Sequence, residues 1–319
     1  MTASAAVRTA TPRAQSPFDL ADHATYCRWR ERKLAEAPTS PVELEVPLAD
    51  LAHPTAEETA AVLDRCARAN MAIYRTTATG DDTPDLRGAV LAMARHFGLA
   101  DYETHRSAGV DGMVALEVSD APTQTDFIPY TTRALGWHTD GYYTYESPAR
   151  LIRAMVLHCV RSAKEGGETA LVDQEILYLR LRDESPDLVA ALMHPQAMTI
   201  PAHIESDGRE RPANAGPVFI VDPDTGALNM RFTIRKRHIV WRDDAATRAA
   251  VAMLERIMED DPHVVRCRLA PGQGVICNNV PHLRTAFLDH EGTGRGRLLY
   301  RIRSYDRVGG SRAGADGGT

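Results

Sequence analysis

The pattern of short apolar runs after residue 110 constrains the fold of this chain more than any other feature. Each run is four to ten residues long, is rich in Val, Ile, Leu or Met, and is separated from the next by turn-forming residues. Several short strands with turn signals between them are typical of a β-barrel or jelly roll. We therefore predict a mainly β fold with flanking helices. The predicted strands are 113–118, 151–160, 169–172, 218–221, 264–269, 274–277 and 298–302.

Two longer stretches within this region have a helical period. They cover 173–193 and 244–260, where apolar residues recur at three- and four-residue spacing. We expect these helices to pack outside the barrel. Between them, the tract 221–226 combines Asp, Pro and Gly between two apolar runs, which predicts a turn that joins two strands.

The first third of the chain has a different character. Thr55 and Glu58 form a capping box for an amphipathic helix, and a short strand, 71–75, should follow it. Thr83 and Pro84 then have the residue types of an N-cap and a first helical position. The first third is therefore predicted to be α/β.

The length of 319 residues allows one elaborated domain or two, and β-barrels of this size often form one unit. We predict a single domain over 17–308, made of an α/β part, 17–110, and a jelly-roll core with helical insertions, 111–308. The start, 1–16, is predicted to be a disordered tail. The end, 309–319, is Gly-rich without a large apolar residue, so we expect a flexible tail there as well.

Charge and cysteine content exclude several classes of partner. The net charge of −6 gives no general attraction to nucleic acid or to anionic membranes, and no apolar run approaches the ~20 residues of a membrane span. The five cysteines are scattered without a CxxC pair, which argues against a disulfide framework or a zinc ribbon and fits a reducing cytoplasm. We expect a cytoplasmic protein that acts on a small molecule. The sequence leaves homo-oligomerisation open.

The most informative motif is Trp-His-Thr-Asp-Gly at 137–141. Because His138 and Asp140 lie two apart on an extended segment, their side chains project to the same side and could bind one metal ion. His282, which follows the predicted strand 274–277, is the best candidate for a third ligand. Two histidines and one carboxylate form the facial triad of non-haem Fe(II) oxygenases, whose open positions take a co-substrate and dioxygen.

Two arginines lie at the two ends of the last predicted strand, 298–302. Arg297 and Arg301 lie four apart and so face the same side. A guanidinium group pairs bidentately with a carboxylate, which is the interaction needed to hold the far end of a dicarboxylate co-substrate.

His138-x-Asp140, His282 and Arg297 together resemble the metal and 2-oxoglutarate motif of the taurine/2-oxoglutarate dioxygenase (TauD/TfdA) family, within the clavaminate synthase-like group. The Gly-Gly-Glu-Thr run that ends at Thr169 strengthens the resemblance, since the family has a Gly-Gly-Asp/Glu-Thr run at the comparable place. The motifs occur in the family's order. The resemblance covers about 127–306.

The resemblance implies a double-stranded β-helix (a cupin-like jelly roll) that holds one Fe(II) through His138, Asp140 and His282. It also implies that 2-oxoglutarate chelates the iron, that Thr169 contacts a 2-oxoglutarate carboxylate and that Arg297, with Arg301 on the same face, holds the far carboxylate. Reaction with O₂ would release succinate and CO₂ and oxidise a substrate, most simply by hydroxylation. The intact carboxylate of the triad disfavours halogenation.

Other reactions stay open at this point. The same cofactors support desaturation, cyclisation or cleavage, and a biosynthetic role is as plausible as a catabolic one. A non-catalytic jelly roll that binds 2-oxoglutarate or metal is a further alternative, as is a zinc or manganese site for hydrolysis or isomerisation. The intact set of motifs argues against the non-catalytic alternative.

The substrate is expected to be small, polar, and anionic or amino-acid-like. Tyr142 and Tyr143 follow the metal pair and could line the substrate mouth, or pack as aromatic residues on the barrel rim. Arg231 could bind an anionic group or belong to a solvated charged face. Arg284 could neutralise a substrate carboxylate or brace its loop. An asparagine pair ending at Asn279 is expected to orient His282.

Overall fold

The structure is a computed structural model, and it describes residues 16–77, 82–103, 112–119, 127–204, 208, 210–235, 239–289 and 296–310. The two predicted tails lie outside the described residues, apart from 16, 309 and 310. In the part of the chain that is described, no helix has the length and apolar character to cross a membrane.

Helices and strands follow one another in a mainly β arrangement. The α-helices α1 to α6 are His23–Glu36, Ala56–Ala69, Pro84–His96, Gln174–Glu184, Pro186–Leu192 and Ala245–Asp260. The strands β1 to β19 are Glu45–Pro47, Met71–Arg75, Met113–Leu116, Leu135–His138, Ala154–Arg161, Glu165–Gly166, Thr169–Leu171, Met198–Ile200, His203–Ile204, Glu210–Arg211, Asn214–Gly216, Phe219–Val221, Leu228–Met230, Val240–Trp241, Val265–Cys267, Gln273–Cys277, His282–Arg284, Phe287–Leu288 and Leu298–Ser304.

Two sheets position the residues of interest. The larger has six strands in the order β1-β2-β16-β5-β19-β3, in which β1 and β2 pair in parallel and the other neighbours are antiparallel. The smaller has four antiparallel strands in the order β15-β7-β17-β4.

The inner faces of the two sheets share one apolar cluster. Leu157 of β5 lies in it together with Leu171 of β7 and Val265 of β15. Because successive side chains of a strand point to opposite faces, Val156 of β5 packs instead with α2 and α3 on the outer face of the larger sheet. Helices α4, α5 and α6 cover the outer face of the smaller sheet. The layers are therefore helices, larger sheet, smaller sheet and helices.

The predicted mainly β fold with flanking helices is confirmed, and its local signals are realised in detail. Thr55 caps α2 and completes the capping box with Glu58, while Thr83 caps α3. The tract 221–226 joins β12 to β13 as a hairpin.

Several elements differ from the prediction, among them short strands such as β8 and β17, which were not predicted. The stretch 173–193 is two helices, because Ser185 is extended ahead of Pro186 and caps α5. Helix α1 was not predicted, since most of its residues are polar and its buried positions include Lys33. That lysine pairs with carboxylates of a distant segment, which the local sequence does not reveal.

Candidate active site

Antiparallel pairing of β4 and β17 brings the predicted metal ligands together. His138 is the last residue of β4, His282 is the first of β17, and the two are register partners with ring centroids 4.3 Å apart. Asp140 follows in the turn after β4. The candidate ligand atoms of the three residues all lie within 4.8 Å of one another, and all three side chains are buried.

Backbone carbonyls fix the orientation of both imidazole rings. Nδ1 of His138 lies 2.9 Å from the carbonyl oxygen of Gly136, and Nδ1 of His282 lies 2.9 Å from that of Val280. A carbonyl can only accept, so both Nδ1 atoms carry hydrogen and both Nε2 atoms present lone pairs. An outer hydrogen bond of this kind is what orients a metal-binding histidine.

Asn279 holds the turn that carries the third ligand. Its side-chain oxygen accepts from the backbone N–H of Asp140 at 2.9 Å, and its amide group donates to the carbonyls of Asp140 at 3.0 Å and Ile152 at 2.8 Å. Asn279 adopts a left-handed backbone conformation, with φ of 50°. Asn279 thus orients Asp140, and not His282 as had been expected, whereas the ring of His282 is oriented by the carbonyl oxygen of Val280.

The protonation states of the three residues suit metal binding. Burial, with the neighbouring His282, lowers the pKa of His138 to about 3. Burial also lowers the pKa of His282. For Asp140, burial alone would raise the pKa, but Arg301 and Arg303 outweigh it and hold the pKa below its ordinary value. At neutral pH the cluster therefore offers two neutral imidazoles and a carboxylate, the state that a metal requires.

This donor set fits Fe(II). Nε2 of His138 lies 4.0 Å from Oδ1 of Asp140, and the buried Oδ2 of Asp140 has no hydrogen-bond partner among the described residues. Two imidazole nitrogens and one carboxylate oxygen form the facial set that leaves positions open on a non-haem iron.

One pocket contains the predicted 2-oxoglutarate residues. Thr169 of β7 and Arg297, just before β19, both line it, together with Ser162, Gly167 and Arg268. Gly167 has a φ of 69°, in the left-handed region that favours glycine. Burial lowers the pKa of Arg297, which marks it as a cation that a bound carboxylate would stabilise.

Arg301 lies elsewhere than predicted. Its NH1 is 3.3 Å from Oδ1 of Asp140, and it is not among the residues that line the Arg297 pocket. Arg303, which sequence analysis missed, places NH1 4.0 Å from the same oxygen and pairs with Glu103. Alternation along β19 was the available signal, since odd-numbered positions from 297 to 303 share one face.

Arg231 and Arg284 are both surrounded by backbone carbonyl groups. The buried Arg231 guanidinium donates to carbonyl oxygens of Tyr142, Met198, Gly216 and Asn214, so Arg231 does not belong to a solvated charged face. The Arg284 guanidinium donates to carbonyl oxygens of residues 128, 129, 131 and 133, while its buried Nε has no hydrogen-bond partner among the described residues. These contacts favour the alternative in which Arg284 braces its loop.

The two tyrosines after the triad have different surroundings. Their rings meet edge to face at 5.2 Å between centroids. Both pack against the apolar cluster on the outer face of the smaller sheet. The hydroxyl of Tyr143 accepts a hydrogen bond from NH1 of Arg303 at 3.1 Å. Tyr143 is thus the one of the two that adjoins the charged groups near the triad.

Comparison with known proteins agrees with this geometry. The family profile described as "Taurine catabolism dioxygenase TauD, TfdA family" matches residues 41–303. The chain belongs to this family, as its motifs indicated, and is a 2-oxoglutarate-dependent dioxygenase that uses non-haem iron.

Relatives and solved structures give more detail. A uridine-5′-phosphate dioxygenase from Amycolatopsis sp. is 31% identical over 207 residues, which are 61% of this chain and 71% of the relative. One from Streptomyces sp. is 29% identical over 224 residues, 66% of this chain and 77% of the relative. The fold is similar to that of an asparagine oxygenase solved with Fe(II), 2S,3S-3-hydroxyasparagine and succinate, with a TM-score of 0.55, 18% identity and coverage of 82% of this chain and 93% of the other. The non-haem iron oxygenase OrfP, solved with Fe, gives a TM-score of 0.54 at 17% identity, over 80% of this chain and 81% of the other.

Proposed function

We propose that this enzyme hydroxylates a small anionic molecule of the nucleoside 5′-phosphate class. The observation that carries the proposal is a pair of buried guanidinium groups, those of Arg301 and Arg303, beside the carboxylate of the triad. Cations at that place would bind an anionic substrate next to the centre of oxidation. The names of the two uridine-5′-phosphate dioxygenases support this substrate class.

In this proposal the two facing sheets form a double-stranded β-helix around the cofactors. His138 and His282 bind Fe(II) through Nε2, and Asp140 binds it through the unpartnered Oδ2. Thr169 and Arg297 hold 2-oxoglutarate by its carboxylates. When bound, the iron and 2-oxoglutarate use O₂ to oxidise a substrate C–H bond, with succinate and CO₂ as co-products.

The residues of the chain control access and placement. The layers of apolar side chains between the sheets exclude water from the inner face, which strengthens every charge interaction there. Asn279 keeps the Asp140 turn in one position. The placement of the substrate by the arginines then selects the C–H bond that reacts, and with it the outcome between hydroxylation, desaturation, cyclisation and cleavage.

An amino-acid substrate has less support. Recognition of an α-amino acid requires a cation for its carboxylate and a free carboxylate for its ammonium group. Beyond the triad, the carboxylate beside Arg303 is Glu103, and it is already paired with that arginine. The charges therefore favour a substrate with an anionic group and no ammonium group.

The test begins with an anaerobic titration of metal-free protein with Fe(II) and then 2-oxoglutarate. We expect the weak visible charge-transfer band of the chelate in the wild type and no band in His138→Ala. Oxygen is then admitted with uridine 5′-phosphate, and succinate and oxidised product are measured in equal amounts. Absence of the band in folded, iron-loaded protein would overturn the cofactor assignment. A normal band with turnover of free amino acids but not of nucleotides would overturn the substrate class.

A further inference from the structure

Three buried arginines lie at odd-numbered positions at or next to β19, one just before the strand and two within it. Arg297, Arg301 and Arg303 have exposed fractions of 6%, 9% and 4%. The first lines the pocket assigned to 2-oxoglutarate and the second contacts Asp140. The third does not line that pocket, and its nearest guanidinium nitrogen is farther from Asp140, at 4.0 Å. A buried guanidinium group is costly unless it is paired, so the contacts of Arg303 indicate what it is for.

Glu103 holds Arg303 in place. The two side chains form a buried ion pair, and the backbone N–H of Glu103 donates to the carbonyl oxygen of Arg303 at 2.9 Å. Side chain and main chain are thus fixed together at the end of β19. An arginine held in this way loses little conformational entropy when a ligand binds.

Tyr143 adds a hydrogen-bond donor beside this guanidinium group. Its hydroxyl oxygen accepts from NH1 of Arg303 at 3.1 Å, so the hydroxyl hydrogen points elsewhere. In the described part of the chain that hydrogen has no assigned acceptor. Tyr143 is only half-buried, which leaves its hydroxyl within reach of a molecule that enters from solvent.

Metal binding changes the charge balance at this end of the strand. Without metal, Asp140 and Glu103 balance Arg301 and Arg303. Once Asp140 binds a divalent cation, less of its negative charge is available to compensate the two guanidinium ions.

We propose that Arg303 and the hydroxyl of Tyr143 form the binding subsite for the phosphate group of the substrate, with Glu103 as the positioning residue. The guanidinium fork and the phenol supply donors to separate phosphate oxygens, and the group lies next to Asp140 because NH1 of Arg303 is 4.0 Å from its Oδ1. This inference rests on the proposed function and names the part of the site that would select a phosphate monoester.

The experiment is calorimetric binding of uridine 5′-phosphate and of uridine to the anaerobic protein loaded with Fe(II) and 2-oxoglutarate. Removal of Arg303 alone would leave Glu103 buried without a cation. The test variant is therefore the double substitution Glu103→Gln/Arg303→Gln. We expect it to weaken binding of uridine 5′-phosphate about 30-fold, because charge-assisted hydrogen bonds are lost, and to change binding of uridine less than about 3-fold.

Three further variants separate a binding role from a structural one. Tyr143→Phe should weaken binding of the phosphate about 5-fold and leave uridine unaffected. Glu103→Gln alone should weaken phosphate binding less than the double variant, since the cation stays but is held less firmly. Arg150→Gln is the matched control, because Arg150 is a half-exposed arginine that pairs with Asp101. It should leave the affinity for both ligands unchanged.

Each outcome decides the proposal. Equal losses for uridine and its phosphate in the double variant would show that Arg303 only supports the fold, and the subsite would be wrong. Wild-type protein that binds uridine 5′-phosphate no more tightly than uridine would also overturn it. The chelate band reports the cofactor assignment, and turnover of uridine 5′-phosphate by the wild type reports the substrate class, so a failure of the subsite is distinguishable from a failure of the proposed function.

Discussion

His138 and His282 face each other across the antiparallel pair β4 and β17, with their ring centroids 4.3 Å apart. The two residues are 144 positions apart in the chain. Because strand pairing fixes their separation and backbone carbonyls fix their ring orientation, the two Nε2 donors are arranged before any metal binds. Such preorganisation reduces the cost of binding.

Asn279→Ala should weaken Fe(II) binding by about 10–100-fold while the protein stays folded, because the turn that carries Asp140 loses two hydrogen bonds and its link to Ile152 loses a third. Anaerobic Fe(II) titration measures the loss. The matched control is Asn278→Ala. Asn278 binds Asn70 and the backbone of Val308 instead of the Asp140 turn, so it should lower thermal stability more than metal affinity. Equal metal affinities for wild type and Asn279→Ala would contradict this role.

Arg297→Ala should raise the dissociation constant of 2-oxoglutarate by about 30-fold or more, because a charge-assisted bidentate contact is lost. Iron binding should be unchanged, since Arg297 lines a pocket that contains no residue of the triad. The intensity of the chelate band as a function of 2-oxoglutarate concentration gives the dissociation constant of 2-oxoglutarate, and anaerobic Fe(II) titration gives the affinity for iron. Arg297→Lys keeps the charge but loses the bidentate guanidinium group, so its dissociation constant for 2-oxoglutarate should lie between those of the wild type and Arg297→Ala. An unaltered 2-oxoglutarate requirement would instead point to Arg268 or Arg301.

Lys33→Met should lower the free energy of unfolding by about 3–5 kcal/mol, because it removes the cation that pairs with the buried carboxylate of Asp173 and with the partly buried carboxylate of Glu175. Nζ of Lys33 lies 2.5 Å from Asp173 and 2.6 Å from Glu175, and the side chain is 4% exposed. Urea unfolding of the metal-free protein measures the change. Arg30→Met is the control on the same helix, since its pair with Asp183 is partly exposed and should contribute less than about 1 kcal/mol. If both variants lose a similar amount of unfolding free energy, burial does not set the contribution of these ion pairs to stability.

The metal-free protein should lose stability as the pH falls from about 6.5 to 4, and His158 should account for part of the loss. Burial lowers the pKa of His158 to about 4. Over this window the unfolded chain binds the proton and the folded chain does not, so stability decreases as the pH falls, by about 3 kcal/mol for one such group.

Urea unfolding at several pH values, compared between wild type and His158→Gln, tests this contribution. The variant should show a flatter pH dependence, whatever its stability at pH 7. The control is His53→Gln, because His53 is on the surface with 84% of its side chain exposed. If His158→Gln keeps the full pH dependence, the proton uptake belongs to other groups, such as the histidines of the triad.

Local signals in the sequence determined much of the fold. Thr55 with Glu58, and Thr83 with Pro84, place the starts of α2 and α3, since caps are set by residues within one turn. Short apolar runs placed most core strands to within a few residues. Helix α1 was missed because its stability comes from the distant carboxylates that pair with Lys33, and no local pattern records such a partner.

The sequence by itself also determined the chemistry of the site: His138, Asp140, His282, Thr169 and Arg297 are identifiable because residue type and order define a metal and 2-oxoglutarate motif. Only the tertiary structure decided which group each arginine side chain contacts. It placed Arg301 at Asp140, brought Glu103 and Tyr143 to Arg303, and enclosed Arg231 and Arg284 in carbonyl groups. Periodicity along a strand gives the face on which a side chain lies, whereas its partner comes from another strand or loop, and that pairing depends on long-range packing.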